Sequence, residues 1–396
     1  MSKWSAFLAP AAAILVACSP SATPGVSPAL SPTVSPVVSP TGSPSGSFAP
    51  LADVLTYKGN AARTGEHPGR GPASAPASIW RVEHGSLFRA APLIAGGEVV
   101  VVAEDGTILI LDAASGAARD AKVADGFRAT GSIADGILYV TGLGGNLWSV
   151  SLSDGDAGWH VDGVHEESFV TLADDLLVVG AQDELLAYGR SSGVEVWRLA
   201  IAGAERSALG QGVLYAGGRG SGLLTAVGLD GVERWQFDTG ADEVLTPAVA
   251  GDAVYVATRG AAADDSTVTA LDLDGTKLWT VEFQGTIGSH GVDGSRVYVT
   301  IQEDPSALIA LDPATGTTAW EHEFDGRIVS VLAIARGRVY VVSQAEGLSA
   351  IDAASGDVEW QVEVGSIARA GIAISGEFAF VATEDLDGRG RVLAFR

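Results

Sequence analysis

Sulfur-containing residues are almost absent from this chain of 396 residues, which has one cysteine and one methionine. A single cysteine excludes an intrachain disulfide, a zinc site built on cysteines and a CxxC redox pair. Basic residues are scarce as well, because 24 Lys and Arg stand against 48 Asp and Glu, a formal net charge of −24. Such a charge repels phosphate groups, so neither nucleic acid nor an anionic lipid surface is an expected partner.

The motifs of common catalytic and metal sites are missing too. There is no phosphate loop, no G-x-S-x-G elbow and no HExxH. Two Asp-x-Asp-Gly turns, at residues 272–275 and 385–388, lack the further acidic ligands of a calcium loop, and we interpret them as tight turns. We therefore expect no metal site and no catalytic set. The six histidines stand at no metal-ligand spacing: His67, His84, His160, His165, His290 and His322.

The first 17 residues have the plan of an export signal, with Lys3 followed by an apolar stretch and small residues. This stretch is too short to span a bilayer, and no apolar run of spanning length follows it. Leu15-Val16-Ala17-Cys18 resembles the lipobox of bacterial lipoproteins. The resemblance implies cleavage before Cys18, acylation of Cys18 and anchoring to the extracytoplasmic face of a bacterial membrane. The alternative is an ordinary secretory signal with an incidental cysteine.

Residues 18–50 are expected to form a tether without a core of its own. Residues 19–50 carry no charge and hold eight of the sixteen prolines, with Ser-Pro or Thr-Pro recurring every four residues from Ser19 to Ser43. Proline fixes φ and removes a donor, which favours an extended polyproline-II-like chain. Ser19 after the cysteine permits sorting to an outer membrane, whereas so long a stalk suits a thick cell wall. The sequence leaves the choice of membrane open.

From residue 78 onward the chain repeats itself eight times. Each unit contains an alternating apolar run and then a turn ending in Gly. The position four residues after that Gly, here called the slot, is tryptophan in most units. Successive slots are 38 to 44 residues apart, and blade one has Asp120 where the others have tryptophan. A period near 40 with several short strands is typical of a β-propeller. The slot tryptophans are Trp80, Trp159, Trp197, Trp235, Trp279, Trp320 and Trp360.

These features predict an all-β, eight-bladed propeller of four-stranded blades over residues 78–396. The last unit ends at Arg396 before its tryptophan strand, while the segment around Trp80 is left over at the other end. We therefore expect residues 79–83 to complete the last blade and close the ring, which removes two unpaired sheet edges. With Asp120 in its slot, the interface of blade one is expected to be looser or more polar.

The repeats resemble the PQQ-like β-propeller repeat, named for pyrroloquinoline quinone. Residues 310–320 match its pattern of Ala-Leu-Asp, a Gly turn and Trp closely, and residues 350–360 nearly so. Residues 57–65, within a segment 51–77, look like the short lead-in that precedes such propellers. The resemblance specifies the fold far better than the function, because propellers host many unrelated activities.

Arginines recur at equivalent places on neighbouring blades, six positions before the loop that precedes the apolar strand, where a propeller has its innermost strand. Arg89, Arg128 and Arg369 share this position with Glu167, and Arg206 lies two residues out of register. These side chains are expected to meet near one mouth of the channel. They either form a structural ion-pair network with carboxylates such as Glu167 and Glu205, or they bind an anionic ligand or partner.

Three functions remain open from the sequence. The first is a non-enzymatic, monomeric binding or scaffold module for proteins or cell-surface components, anchored only by lipid and similar to the propeller lipoprotein of the outer-membrane barrel-assembly machinery. The second, implied by the resemblance alone, is a quinoprotein dehydrogenase holding pyrroloquinoline quinone with calcium. Those enzymes are usually much longer, and many carry an adjacent cysteine pair that this chain cannot have. The third is a sensor of small anions at the arginines.

Overall fold

The computed structural model describes residues 51–262, 265–365, 371–385 and 387–396. The predicted signal 1–17, Cys18, the tether 18–50 and Arg369 lie outside the described residues. Within the described ranges all the regular elements are β-strands, arranged in eight separate antiparallel sheets. The alternating apolar runs of the repeat form the second strand of each sheet, buried on both faces. The predicted eight-bladed propeller is confirmed.

The first strand in the chain is β1 (Ser78–His84). Blades 1 to 4 follow, each from its inner to its outer strand. Blade 1 contains β2 (Leu93–Ala95), β3 (Glu98–Val102), β4 (Thr107–Asp112) and β5 (Ala118–Lys122), and blade 2 contains β6 (Ser132–Ala134), β7 (Ile137–Thr141), β8 (Asn146–Ser151) and β9 (Ala157–Asp162). Blade 3 contains β10 (Thr171–Ala173), β11 (Leu176–Gly180), β12 (Glu184–Gly189) and β13 (Glu195–Ala200), and blade 4 contains β14 (Arg206–Gly210), β15 (Val213–Gly217), β16 (Leu223–Gly228) and β17 (Glu233–Asp238).

Blade 5 departs from four strands because two short segments, β18 and β19, pair side by side with β20 as its inner edge. Blade 5 contains β18 (Glu243–Val244), β19 (Ala248–Ala250), β20 (Ala253–Arg259), β21 (Ser266–Asp272) and β22 (Lys277–Phe283), and blade 6 contains β23 (Ile287–Val292), β24 (Val297–Ile301), β25 (Ser306–Leu311) and β26 (Thr318–Phe324). Blade 7 contains β27 (Ala333–Ala335), β28 (Arg338–Ser343), β29 (Gly347–Asp352) and β30 (Val358–Val362). Blade 8 contains β31 (Ile372–Ser375), β32 (Phe378–Glu384) and β33 (Gly390–Phe395), and β1 completes it.

The ring is closed by the first strand of the chain, as the sequence predicts. β1 pairs antiparallel with β33, and Trp80 lies opposite Ala394. Beyond the strands, the backbone groups of Ala77 and Arg396 exchange two hydrogen bonds of 3.1 Å. Both ends of the propeller are therefore held in one sheet.

Tryptophan joins neighbouring blades by a repeated contact. Except for Trp360, which bonds to Pro72 of the lead-in segment, each ring lies against the Gly turn of the next blade. A Cβ added to Gly231, for example, would come within 2.7 Å of the Trp197 ring. A large ring with one N–H donor suits such a site because its polar edge needs a carbonyl. The indole N–H bonds at 2.8–3.1 Å are Trp80 to Ala113 O, Trp197 to Leu229 O, Trp235 to Leu273 O, Trp279 to Pro313 O, Trp320 to Ala353 O and Trp360 to Pro72 O.

In blade 1 the slot is occupied by Arg119, and the assignment of Asp120 from the repeat is wrong. Outside β9, the outer strands that carry tryptophan pair it with alanine and shift register beside that pair, as at Ala226 opposite Trp235. β4 and β5 pair without that shift, which places Arg119 opposite Ile110. Arg119 Nη1 donates 2.6 Å to Leu152 O, a carbonyl in the next blade. The interface is indeed more polar, but a guanidinium rather than a carboxylate makes it so.

Residues 51–77 wind around one end of the channel and bond to the ends of the inner strands in turn. Val54 exchanges two hydrogen bonds with Ile94 of blade 1, and the Ile133 amide of blade 2 donates 2.7 Å to Leu55 O. The carbonyls of the segment then accept from the inner strands of the following blades: Ala61 O from Leu209, Ala62 O from Val249, Thr64 O from Val292 and Gly65 O from Ile334. The segment thereby fills the channel end where the inner strands finish.

No helix among the described residues is long and apolar enough to cross a membrane.

Candidate functional site: the channel mouth and an inner chamber

The opposite mouth of the channel contains a cavity of about 460 Å³ lined by the predicted charged residues. Arg89, Arg128 and Glu167 lie in the loops that lead into the inner strands of blades 1 to 3, and Arg206 begins β14. The structure thus brings four of the five predicted residues to one cavity. The fifth, Arg369, lies outside the described residues. Glu104, Ala129, Phe169 and Arg219 complete the lining.

Two arginines of the mouth share one carboxylate that the sequence analysis did not single out. Glu104 accepts from Arg128 at 2.8 Å and from Arg89 at 3.4 Å, and Arg89 also donates to Glu384 at 2.9 Å. The Arg128 side chain is 45% exposed, so water screens its pair and the pair adds little stability. A half-exposed guanidinium remains open to a further acidic group.

Glu167 and Glu205, which were expected to pair with the equivalent arginines of the mouth, both bind Arg219 instead. Glu167 pairs with Arg219 at 2.8 Å, and the Glu205 carboxylate accepts the backbone N–H of Arg219 at 3.0 Å. Neither forms an ion pair with Arg89 or Arg128 among the residues that the structure describes. The ion pairs around the mouth therefore link the arginines of one blade to carboxylates of neighbouring blades.

Deeper in the channel, Glu243 is surrounded by three guanidinium groups. Arg206 lies 2.7 Å away, Arg259 3.3 Å and Arg219 3.6 Å. Burial opposes ionisation of this carboxyl, but the arginines outweigh it and lower the pKa of Glu243. One carboxylate thus contacts three cations, of which Arg219 has Glu167 as a closer partner.

The floor of the mouth is an aromatic pair laid over a buried arginine. The rings of Phe169 and Tyr57 stack at 3.8 Å, and the Arg63 guanidinium lies 5.8 Å from the centre of the Tyr57 ring. Arg63 is fully buried, and burial lowers its pKa to about 10 while Tyr57 opposes that change. Its five hydrogen bonds, at 2.6–3.2 Å, go to Thr56 Oγ1, Tyr57 O, Val170 O, Thr171 Oγ1 and Ser207 O.

An inner chamber of about 110 Å³ lies at Tyr57, and Phe169 and Arg206 line both this chamber and the mouth cavity. Lys58 projects its ammonium here and donates 2.7 Å to His290 O. Desolvation, with Arg63 and Arg206 adding to it, lowers the pKa of Lys58 to about 7. The sequence analysis noticed residues 57–65 only as a lead-in. Lysine is scarce in this chain, so its presence within that segment was the one feature of the sequence that could have indicated the chamber.

The PQQ_2 family model, described as outer membrane protein assembly factor BamB, matches residues 73–162, 181–285 and 264–396. These ranges include more than half of the chain. The chain belongs to this family. A BamB from Shewanella oneidensis is 24% identical over 252 residues, or 58% of this chain and 62% of that relative. The chain therefore spans less than two thirds of the length of this curated relative.

Solved structures share the BamB-like fold at low identity. BamB from Moraxella catarrhalis matches with a TM-score of 0.64 and 14% identity over 81% of this chain and 98% of that one. A quinohemoprotein alcohol dehydrogenase from Comamonas testosteroni matches with a TM-score of 0.72 and 13% identity over 87% of this chain and 80% of that one. At such identities the likeness is one of fold alone.

The inner chamber of this BamB family member does not fit the calcium of a quinoprotein dehydrogenase. Calcium takes six to eight oxygen ligands, and no group of three or more His, Cys, Asp and Glu in the described ranges could hold a metal ion. The chamber instead presents Lys58, Arg206 and Arg259, cations that would repel calcium.

The two Asp-x-Asp-Gly turns use their carboxylates on their own backbone. Asp272 Oδ1 accepts from the amides of Asp274 at 3.0 Å and Thr276 at 2.7 Å. Asp385 Oδ1 accepts from the amides of Asp387 at 2.9 Å and Arg389 at 2.8 Å. Both are turns in which the aspartate caps the loop.

Proposed function

We propose that this protein is a lipid-anchored, extracytoplasmic propeller that acts as a non-enzymatic scaffold in the assembly of outer-membrane proteins. The observation that carries the proposal is membership of the BamB family over most of the propeller. The relative named above is described as an assembly factor, and the channel of this chain is occupied at one end by its own lead-in segment. Function is therefore assigned to surfaces and to the mouth rather than to catalysis inside the channel.

Anchoring is proposed to occur through Cys18, with residues 18–50 as the tether. The sequence Leu15-Val16-Ala17-Cys18 supports this proposal, together with the uncharged, proline-rich segment that follows. Mass spectrometry of the protein purified from its own membranes tests it: we expect an acylated N-terminal cysteine. Cys18→Ala should leave the protein unprocessed or released from the membrane, and a membrane-bound, non-acylated mature chain would contradict the proposal.

The channel mouth is proposed as the contact for an acidic segment of a protein partner. Arg89, Arg128, Glu167, Arg206 and Arg369 form the proposed site, and Arg128 and Arg219 expose about half of their side chains there. Exposed guanidinium groups bind carboxylates through two parallel hydrogen bonds. In a chain of net charge −24, a local group of arginines also steers an acidic segment to this place.

Affinity purification from native membranes tests the scaffold. We expect components of the barrel-assembly machinery to copurify with the protein, and cells lacking the protein to contain less of their outer-membrane β-barrel proteins. The double variant Arg89→Gln/Arg128→Gln should reduce copurification. The matched control, Arg198→Gln/Arg234→Gln, removes two arginines from the outer strands β13 and β17 and should not.

Two results would overturn parts of this proposal. If no barrel-assembly component copurifies and barrel-protein levels stay normal, the scaffold function is wrong. If both double variants retain the partner equally, the mouth is only a structural ion-pair network and the contact lies elsewhere on the propeller.

A further inference from the structure

The inner chamber has a surplus of buried positive charge that the protein does not neutralise. Lys58, Arg206 and Arg259 line it, and the buried Arg63 lies close behind Tyr57. Among the ion pairs of the described residues, Glu243 is the carboxylate that contacts Arg206 and Arg259. Arg63 makes its five hydrogen bonds to carbonyls and hydroxyls rather than to a carboxylate. Buried charges are normally paired, so the surplus requires an explanation.

Lys58 is the centre of this surplus. Its side chain is buried, and the contact described for its Nζ is the hydrogen bond to His290 O. An ammonium has three protons to donate. The charges that act on it most are Arg63 and Arg206, both of the same sign, and they add to desolvation in lowering its pKa. The protein therefore surrounds a buried cation with further cations, an arrangement that favours an anion beside it.

A neutral donor in the same wall is unused as well. Ser289 Oγ has no hydrogen-bond partner among the described protein atoms, although Ser289 is buried and belongs to the lining of the chamber. The other buried hydroxyl of the lining, that of Thr246, is hydrogen-bonded to Tyr57. A buried hydroxyl without a partner is costly, and a ligand oxygen would remove that cost.

We propose that the inner chamber binds one small oxyanion, with Lys58 as its central contact and Arg206 and Arg259 as flanking cations. A volume of about 110 Å³ accommodates phosphate, sulfate or a short carboxylate. The anion is free rather than part of a lipid or a partner chain, since Lys58 and His290 are buried beneath the stacked pair of Phe169 and Tyr57. The chamber shares Arg206 and Phe169 with the mouth. Its central contact, Lys58, does not belong to the partner contact proposed there, and anion binding goes beyond that function.

Isothermal titration calorimetry on the purified full-length protein tests the site, with inorganic phosphate and acetate titrated in turn at constant ionic strength in chloride. We expect one ion to bind per chain. Lys58→Met keeps the apolar stem and removes the charge, and it should weaken binding roughly tenfold or more. The matched control Lys277→Met removes an exposed lysine of β22 and should bind as the unmodified protein does.

Binding of either anion with this dependence on Lys58 supports the proposal, and the stronger of the two identifies a tetrahedral or a planar ligand. The proposal is overturned if neither anion binds at millimolar concentration, or if Lys58→Met binds as tightly as the unmodified protein. Should Lys58→Met fail to fold, crystals of the unmodified protein grown with selenate decide the question. An anomalous peak within hydrogen-bond distance of Lys58 Nζ supports the site, and a chamber without such a peak overturns it.

Discussion

At the scale of single residues, Arg63 connects the lead-in segment to the propeller more than any other side chain described. Its guanidinium donates to residues of blades 3 and 4 as well as to its own segment. Because arginine presents five donors in a rigid fork, one side chain satisfies acceptors in three directions. All five donors are used, which satisfies the hydrogen bonding of the guanidinium although no carboxylate neutralises its charge.

Arg63→Met should therefore be among the most destabilising single substitutions in this protein. It leaves carbonyls such as Tyr57 O without their donor, and each such loss costs about 1–3 kcal/mol. We expect the free energy of unfolding to fall by at least about 3 kcal/mol in urea denaturation. Arg81→Met, which removes a half-exposed arginine 3.6 Å from Glu83, should change it by no more than about 0.5 kcal/mol. Similar losses for the two variants would refute the role of Arg63.

His67 makes the lead-in sensitive to acid. It is buried, its Nδ1 accepts the Ile374 amide at 3.2 Å, and burial lowers its pKa to about 4 from the ordinary 6.5. Between these two values the unfolded chain binds a proton that the folded chain refuses, so stability is complete above pH 6.5 and declines as the pH falls toward 4. The full loss amounts to about 3 kcal/mol.

His67→Asn should remove this decline, because the amide oxygen accepts the same hydrogen bond without titrating. Urea denaturation at about pH 7.5 and pH 5 measures the effect: the unmodified protein should lose about 2 kcal/mol more than the variant between these conditions. The lowered pKa of His290 contributes equally to both proteins and cancels. Equal losses in the two proteins would show that His67 does not carry the acid sensitivity.

At the scale of the structural element, the contact between a tryptophan and the next blade's glycine can be separated from backbone strain. Gly231 has φ +76° and lies against Trp197, whereas Gly212 has φ +77° and nothing within 4 Å of an added Cβ. Gly212→Ala should cost only the left-handed conformation, about 1–2 kcal/mol. Gly231→Ala should cost a further 1–3 kcal/mol or so, since its methyl displaces the ring.

Thermal or urea denaturation of both variants checks this difference. Equal costs at the two glycines would mean that the ring moves aside freely and that the tryptophan contact does not hold the blades together. A larger cost at Gly231 that disappears in a Trp197→Ala background would identify the ring itself as the cause.

The repeat predicted the blades and their closure because both depend on periodic hydrophobic and turn residues, which counting reveals. Counting failed at blade 1, where the slot was assigned to Asp120 because it follows the Gly turn by four residues, as tryptophan does in the other blades. β5 pairs with β4 without a register shift, and Arg119 takes the place instead. The register of a strand depends on both paired strands, so it cannot be read from the sequence of one strand alone.

The inner chamber lay beyond the reach of the sequence for a related reason. Arginines at equivalent positions of neighbouring blades could be compared, and the structure places those it describes around one cavity. Lys58 and Arg63 belong to no repeat, and their positions follow from a non-repetitive segment that bonds to successive inner strands. Periodicity carries no information about such a segment.

At the scale of the whole molecule, closure makes the two ends of the propeller depend on each other. β33 is paired on one side with β32 and on the other with β1, so the last strand of the chain is an interior strand of its sheet. Phe380 packs against Trp80 with ring centres 5.9 Å apart, which binds the first strand to the apolar core of blade 8. The C-terminal strand should therefore not fray.

Hydrogen exchange of the native protein tests this dependence. Amides of β33, such as that of Leu393, should exchange as slowly as those of the interior strand β16, because both open only when the ring unfolds globally. Trp80→Ala deletes the ring that fixes β1, and it should speed exchange in β33 and β1 far more than in β16. Rapid exchange of β33 in the unmodified protein would show that blade 8 opens on its own. If Trp80→Ala instead speeds hydrogen exchange equally in all blades, the pairing of β1 with β33 is not the weakest joint of the ring, and the prediction is wrong.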